Sequence, residues 1–159
     1  MTEQRLLQLL SEHNLKVTTA ESCTGGLVAG LLCDISGISA YFEEGFITYS
    51  ENAKIKNLGV NPKTIENYGV VSCETAEEMA LGASKKANAN CAVATTGIAG
   101  PTGGTEATPV GCVCVAWVIK GQVYSKRMNF SGSRMEIRMQ AATYALEMLC
   151  DYIELGIKE

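Results

Sequence analysis

Histidine is nearly absent. Of 159 residues only His13 carries an imidazole, and it lies in a charged and polar stretch at the end of the first helical segment. A Ser-His-Asp triad or a Cys-His pair would have to use it, and its setting is a solvated helix end. A nucleophile in this chain would therefore take its base from a lysine or a carboxylate. No CxxC pair occurs among the seven cysteines, Cys23, Cys33, Cys73, Cys91, Cys112, Cys114 and Cys150, and their number is odd. Several sit in apolar runs as small core residues, so neither a zinc site nor a disulfide framework is expected, and a reducing, cytoplasmic compartment is. An excess of positive charge is also missing: 13 Lys and Arg against 17 Asp and Glu leave a formal charge of −4. Bulk attraction to nucleic acid or to an anionic membrane is thereby excluded, while a small anionic ligand at a local site is not. No apolar run reaches transmembrane length, and the first residues hold no signal-peptide apolar region. Hydrophobic residues at 47% against 19% charged exclude a disordered chain. The length fits one domain, residues 1–159, with a sizeable core.

What is present alternates. Thr2 to Glu12 has leucines at helical spacing, Lys16 to Ala20 reads as a strand, and Thr24 to Cys33 as a helix. Asp34 to Ser39 is a loop around Gly37, Tyr41 to Tyr49 a strand, and Glu51 to Leu58 a short helix closed by Gly59. Pro62 opens another short helix to about Tyr68, and Ser72 caps a longer one carrying Ala76, Met79, Ala80, Ala83 and Ala87. Cys91 to Thr95 is a buried strand, and Cys112 to Ile119 with Gln122 to Phe130 form a hairpin about Gly121. Ser133 and Glu136 have capping-box spacing ahead of a last helix. This order predicts an α/β fold, a three-layer α/β/α sandwich with a mixed sheet.

Three glycine-rich turns each follow a strand: Ser22 to Gly26, Thr96 to Gly104, and Ser131 to Arg134. Ligands of open α/β sheets gather at the carboxyl ends of strands, so the three turns would share one rim. At the first turn, a hydroxyl beside the unpaired N–H groups of a helix start can act as a nucleophile with oxyanion donors nearby. The plainer reading makes Ser22 or Thr24 a helix cap. Arg134, in a first helical turn beside Ser131 and Ser133, suits a phosphate or carboxylate, or is simply solvated. Tyr49 and Lys54 lie where a strand enters a short helix; a desolvated lysine can serve as a base and a tyrosine as a proton relay. Taken alone, Lys54 and its neighbour Lys56 are ordinary surface lysines. The Ser-x-x-Lys spacing is absent, because Gly25 stands three residues after Ser22. Cys23, with no histidine near, reads as a packed thiol.

Taken together, Ala20-Glu21-Ser22-Cys23-Thr24-Gly25-Gly26, Gly45 to Ser50, Thr96 to Gly104, Pro109-Val110-Gly111 and Phe130 to Arg134 resemble the CinA C-terminal domain family. The similarity runs from about Leu6 to Tyr152. The resemblance implies a five-stranded mixed sheet and a stand-alone form of the domain. It also implies a nicotinamide-mononucleotide (NMN) deamidase: hydrolysis of the NMN carboxamide to nicotinate mononucleotide and ammonia, with no metal and no organic cofactor. By position, Ser22 matches the nucleophile, Tyr49 and Lys54 the groups that activate it, Thr96 the hydroxyl that begins the glycine loop, and Arg134 a phosphate anchor. Thr24, Gly25, Gly26, Gly97, Gly100, Ser131 and Gly132 are the accompanying candidates for substrate binding. Family analogy and open strand edges imply a homodimer. Where the family usually reads Tyr-Ser-Asn, this chain has Tyr49-Ser50-Glu51, then Asn52. A carboxylate there would hold Lys54 protonated. The alternatives are a nucleotide-binding module without catalysis and an amidase for another small amide.

Overall fold

The computed structural model describes residues 2–159. Five strands, β1 (Val17–Glu21), β2 (Phe46–Ile47), β3 (Cys91–Gly97), β4 (Cys112–Ile119) and β5 (Gln122–Asn129), lie in the order β2-β1-β3-β4-β5. β1 pairs parallel with β2 and β3, whereas β3-β4 and β4-β5 are antiparallel, so the sheet is mixed as expected. The helices are α1 (Thr2–Glu12), α2 (Leu27–Cys33), α3 (Glu51–Leu58), α4 (Pro62–Tyr68), α5 (Cys73–Ala87) and α6 (Arg134–Lys158).

The central strands are buried on both faces, and their two faces differ in size. Val113, Val115, Trp117 and Ile119 of β4 join Leu6, Leu10, Leu32 and Leu149 of α1, α2 and α6. Cys112, Cys114, Ala116 and Val118, together with Ala92 and Ala94 of β3, meet Ala76, Met79, Ala80 and Ala83 of α5. Period-two alternation sends the large side chains to one layer and the small ones to the other. The small face lets α5 approach the sheet closely. Gly82 of α5 likewise lies where a Cβ would collide with the Leu58 carbonyl, so α3 and α5 touch through backbone.

Three expectations need correction. The predicted strand from Tyr41 to Tyr49 shrinks to Phe46–Ile47. Before it, the chain follows β1 through single contacts: Val17 N–H to the Tyr41 carbonyl, and the Thr18 hydroxyl to the Glu44 carbonyl. Gly45 is pressed against Thr19, and the exposed Glu43 and Glu44 carry no core-facing alternation that would sustain a ladder. The helix predicted from Thr24 begins only at Leu27. Gly25 and Gly26 adopt φ of +55° and +101°, a left-handed conformation outside a right-handed helix. β1 runs to Glu21, one residue beyond its predicted end, which makes Ser22 the first residue past the strand.

Candidate active site

Ser22 leaves the carboxyl end of β1 between β2 and β3, its N–H donating to the Thr95 carbonyl at 3.0 Å. The turn after it is built around Glu21. This carboxylate is completely buried and faces the start of α2. Its Oε1 accepts from the Thr24 hydroxyl (2.6 Å), Gly26 N–H (3.2 Å) and Val28 N–H (2.8 Å), and its Oε2 from Ala29 N–H (3.0 Å). A negative charge at the positive end of a helix is favourable. Glu21 therefore supplies the capping expected of Ser22 or Thr24: the N-cap residue, Gly26, makes no side-chain cap bond. The N–H groups at the start of α2, expected to meet an oxyanion, are thus occupied. The N–H groups of Cys23 and Thr24 have no acceptor among the described residues.

From the other side, α6 holds the same turn. Arg138 donates from Nε to the Cys23 carbonyl and from a terminal nitrogen to the Thr24 carbonyl, both at 3.0 Å. No motif in the sequence assigns these roles to Glu21 or Arg138. The available signals were an acidic residue closing an apolar strand, and an arginine four residues after Arg134 on the same helix face.

Lys54 enters from the first turn of α3, which Ser50 caps by accepting from Ala53 N–H. Its side chain turns inward and is completely buried. Nζ donates to Ser22 Oγ at 2.9 Å and to the Thr48 carbonyl at 2.7 Å. Burial pulls its pKa down to about 8, while the Cys23 sulfur and the Glu51 carboxylate push it the other way. Desolvation therefore outweighs the extra carboxylate, and an appreciable neutral fraction exists near neutral pH. Lys56, two residues on, is exposed, as a solvated lysine should be. The Cys23 thiol is pushed up to about 12, chiefly by burial. It stays protonated and is a poor nucleophile beside Ser22.

Ser22, Tyr49, Lys54, Thr96, Gly97, Gly100 and Arg134 line one cleft of about 350 Å³. Tyr49 presents its main chain to the serine, with Ser22 Oγ at 3.5 Å from the Tyr49 carbonyl, and its phenol to Arg134. Arg134 bridges the rim, one nitrogen donating to the Gly100 carbonyl (2.7 Å) and the other to Tyr49 Oη (3.0 Å). The Thr96 hydroxyl donates to the Val70 carbonyl at 2.9 Å, tying β3 to the segment before α5. The other candidates lie outside the cleft lining. Thr24 is buried, with its hydroxyl on Glu21 and Thr95. Gly25 backs onto Arg138 and Gly26 onto Ile47. The Ser131 carbonyl accepts from Gln140, and Gly132 crowds Glu136. Ser133 and Glu136 form the expected capping box, which places Arg134 at the first position of α6.

The profile of the CinA C-terminal domain matches residues 1–153. A competence-damage inducible protein of Alkaliphilus oremlandii is 48% identical over 147 residues, covering 92% of this chain and 36% of its own length. The chain therefore spans about a third of that curated relative. Among solved structures, a CinA superfamily protein from Klebsiella pneumoniae superposes with a TM-score of 0.92 at 35% identity over 96% of each chain. A competence/damage inducible protein from Agrobacterium tumefaciens superposes with a TM-score of 0.89 at 45% identity, covering 93% of this chain and 91% of its own.

Proposed function

The chain belongs to the CinA C-terminal domain family, and on that footing we propose that it is an amidohydrolase converting NMN to nicotinate mononucleotide and ammonia. One observation carries the reading: a fully buried lysine amine sits 2.9 Å from Ser22 Oγ, with its pKa lowered to about 8 by desolvation. A serine with a neutral amine on its hydroxyl is an activated nucleophile that needs no histidine.

Neutral Lys54 accepts the Ser22 proton as Oγ attacks the carboxamide carbon. Backbone N–H groups at the cleft, that of Cys23 among them, stabilise the oxyanion. The protonated amine then passes its proton to the leaving nitrogen, the C–N bond breaks, and ammonia departs. Water attacks the acyl-enzyme with Lys54 again as base, which frees the carboxylate and restores the serine. Direct transfer to Lys54 is shorter than a relay through Tyr49, whose phenol hydrogen-bonds Arg134. Arg134 stands at the rim for the 5′-phosphate.

A second reading is an amidase for an unphosphorylated small amide. Both terminal nitrogens of Arg134 already have partners inside the chain, Gly100 and Tyr49. Incubation with NMN in the presence of EDTA, followed by assay of ammonia and nicotinate mononucleotide, tests the main reading. Both products are expected, and Ser22→Ala should remove turnover while NMN still binds. Normal activity in that variant would sink the serine mechanism. Arg134→Ala losing NMN but keeping an unphosphorylated amide would favour the second reading. Binding of NMN without turnover by the unaltered protein would leave a binding module.

A further inference from the structure

Among the residues lining the Ser22 cleft, Lys54 and Arg134 are the basic ones and Glu51 is the lone carboxylate. Glu51 is the first residue of α3 and is exposed. It precedes Lys54 at the i, i+3 spacing that puts two side chains on one face of a helix. Lys54 uses that face to reach Ser22 Oγ, so Glu51 stands above the lysine at the mouth of the cleft. Its charge pushes the Lys54 pKa upward, in agreement with this placement. Ion pairs among the described residues join Arg5 to Asp151 and Glu154, and Lys16 to Glu43. Glu51 enters none of them, and Ser50 supplies the side-chain cap of α3. An acidic residue in a first helical turn gains from the helix dipole wherever its side chain points. That gain does not require a place in the cleft lining, and Glu51 has one.

Once Lys54 is neutral, as a base must be, the cleft holds one negative group, Glu51, and one positive group, Arg134. Arg134 lies at the rim on the Gly100 carbonyl and Tyr49 Oη. NMN has the matching pair of charges: a pyridinium nitrogen in the ring that bears the carboxamide, and a phosphate at the far end of the ribose. We propose that Glu51 is a specificity-determining residue whose carboxylate recognises the ring cation, so that the cleft selects N-substituted pyridinium carboxamides over neutral amides. This rests on the reading of Ser22 as the nucleophile of an NMN deamidase. The reacting carbon and the ring nitrogen are only a few bonds apart. A carboxamide held at Ser22 therefore keeps the ring charge close to the helical turn that carries Lys54 and Glu51. A neutral ring in the same place gains nothing from the carboxylate and still strips water from it, so the charge works against the wrong substrate as well as for the right one.

The test measures binding to the full chain carrying Lys54→Met, which has neither the base nor its titration. The probes are NMN and reduced NMN, whose identical ribose phosphate carries an uncharged dihydropyridine ring, compared by calorimetry at mildly alkaline pH. NMN should bind the more tightly. Adding Glu51→Gln should weaken NMN by at least about threefold, the scale of one partly screened charge pair, and leave reduced NMN unchanged. Glu51→Asp keeps the charge and should retain part of the preference, and added salt should shrink it. Equal weakening of both probes would make Glu51 a support of α3 only, and no weakening of either would mean that the ring charge is not read there; each overturns the proposal. Turnover of NMN by the unaltered protein is scored separately. Absent turnover with a Glu51-dependent preference for NMN would sink the deamidase reading and uphold the role of Glu51. Turnover without that preference would do the reverse. Failure of NMN to bind in this background and in Ser22→Ala alike would overturn both.

Discussion

Lys54 stands between opposed influences. Burial favours its neutral form, and the Cys23 sulfur and the Glu51 carboxylate favour the charged one, with burial prevailing near pH 8. A base must be unprotonated to act, so kcat/KM for NMN should rise with pH along a single limb centred near 8. Glu51→Gln removes a group that raises this pKa, so the limb should move to lower pH. A pH–rate series on both proteins measures it, and a limb that moves upward or stays in place would count against Lys54 as the base. Stability carries the same signature. An unfolded lysine keeps its proton to about pH 10.4, whereas folded Lys54 releases it near 8. Between those values the unfolded chain binds the extra proton, so stability rises with pH across that window. Below it, the full cost of burying the charge is present. Lys54→Met abolishes that dependence, so its melting temperature relative to the unaltered protein should be higher at pH 7 than at pH 10. A difference that does not change with pH would mean the lysine ionises alike in both states.

Among the elements, α2 depends on a residue outside itself. Its first turn has no capping side chain of its own, and its N–H groups converge on Glu21 from the preceding strand. The same carboxylate takes the Thr24 hydroxyl, so strand end, turn and helix start share one acceptor. Glu21→Ala strands several buried donors, each costing about 1–3 kcal/mol, and should destabilise the protein by at least about 3 kcal/mol in urea unfolding. Glu21→Gln keeps one acceptor oxygen and should recover most of that loss. Equal destabilisation by the two variants would indicate that packing, not hydrogen bonding, is what Glu21 supplies. Arg138 does for the two carbonyls of the turn what Glu21 does for its N–H groups. The serine is thereby fixed between a strand and two helices, the kind of support that holds a reacting group in place.

At the scale of the molecule, two helical layers press on one sheet, and the reporter of that arrangement is Trp117. The only tryptophan, it is completely buried in β4, donates from Nε1 to the Ala145 carbonyl at 2.8 Å, and packs against Tyr144 and Tyr152 of α6. β4 also faces α5 through Cys114, Ala116 and Val118, so separating either layer disturbs the sheet. Unfolding followed by tryptophan fluorescence and by far-ultraviolet circular dichroism should give one coincident transition. Two separated transitions would mean that the layers come apart independently and would argue against one domain. No helix among the described residues is long and apolar enough to cross a membrane.

Residue types and spacing alone determined the alternation of elements, the burial of Cys91 to Thr95, the hairpin of Cys112 to Ile119 with the strand after Gly121, the capping box at Ser133 and the blocks of the family. These are local or periodic signals, written in side-chain size, polarity and turn chemistry. Strand ends and glycine turns brought Ser22, Tyr49, Lys54 and Arg134 forward as candidates, and the resemblance to the family gave them, with Thr96, their expected roles. Only the tertiary structure decided what each of them touches. Lys54 and Lys56 are both lysines on one short helix, and helix rotation against the sheet buries one at Ser22 and leaves the other in water. The N–H groups of α2 looked free because no local pattern ties Glu21 to them, and its carboxylate reaches them only when the end of β1 and the turn fold back together. The long strand expected from Tyr41 failed for a related reason: ladder formation depends on what the partner strand presents, here Thr19 against Gly45. A hydrogen bond between residues 32 positions apart, such as Lys54 to Ser22, leaves no periodic trace in a sequence. It arises from topology, which places the end of β1 beside the start of α3.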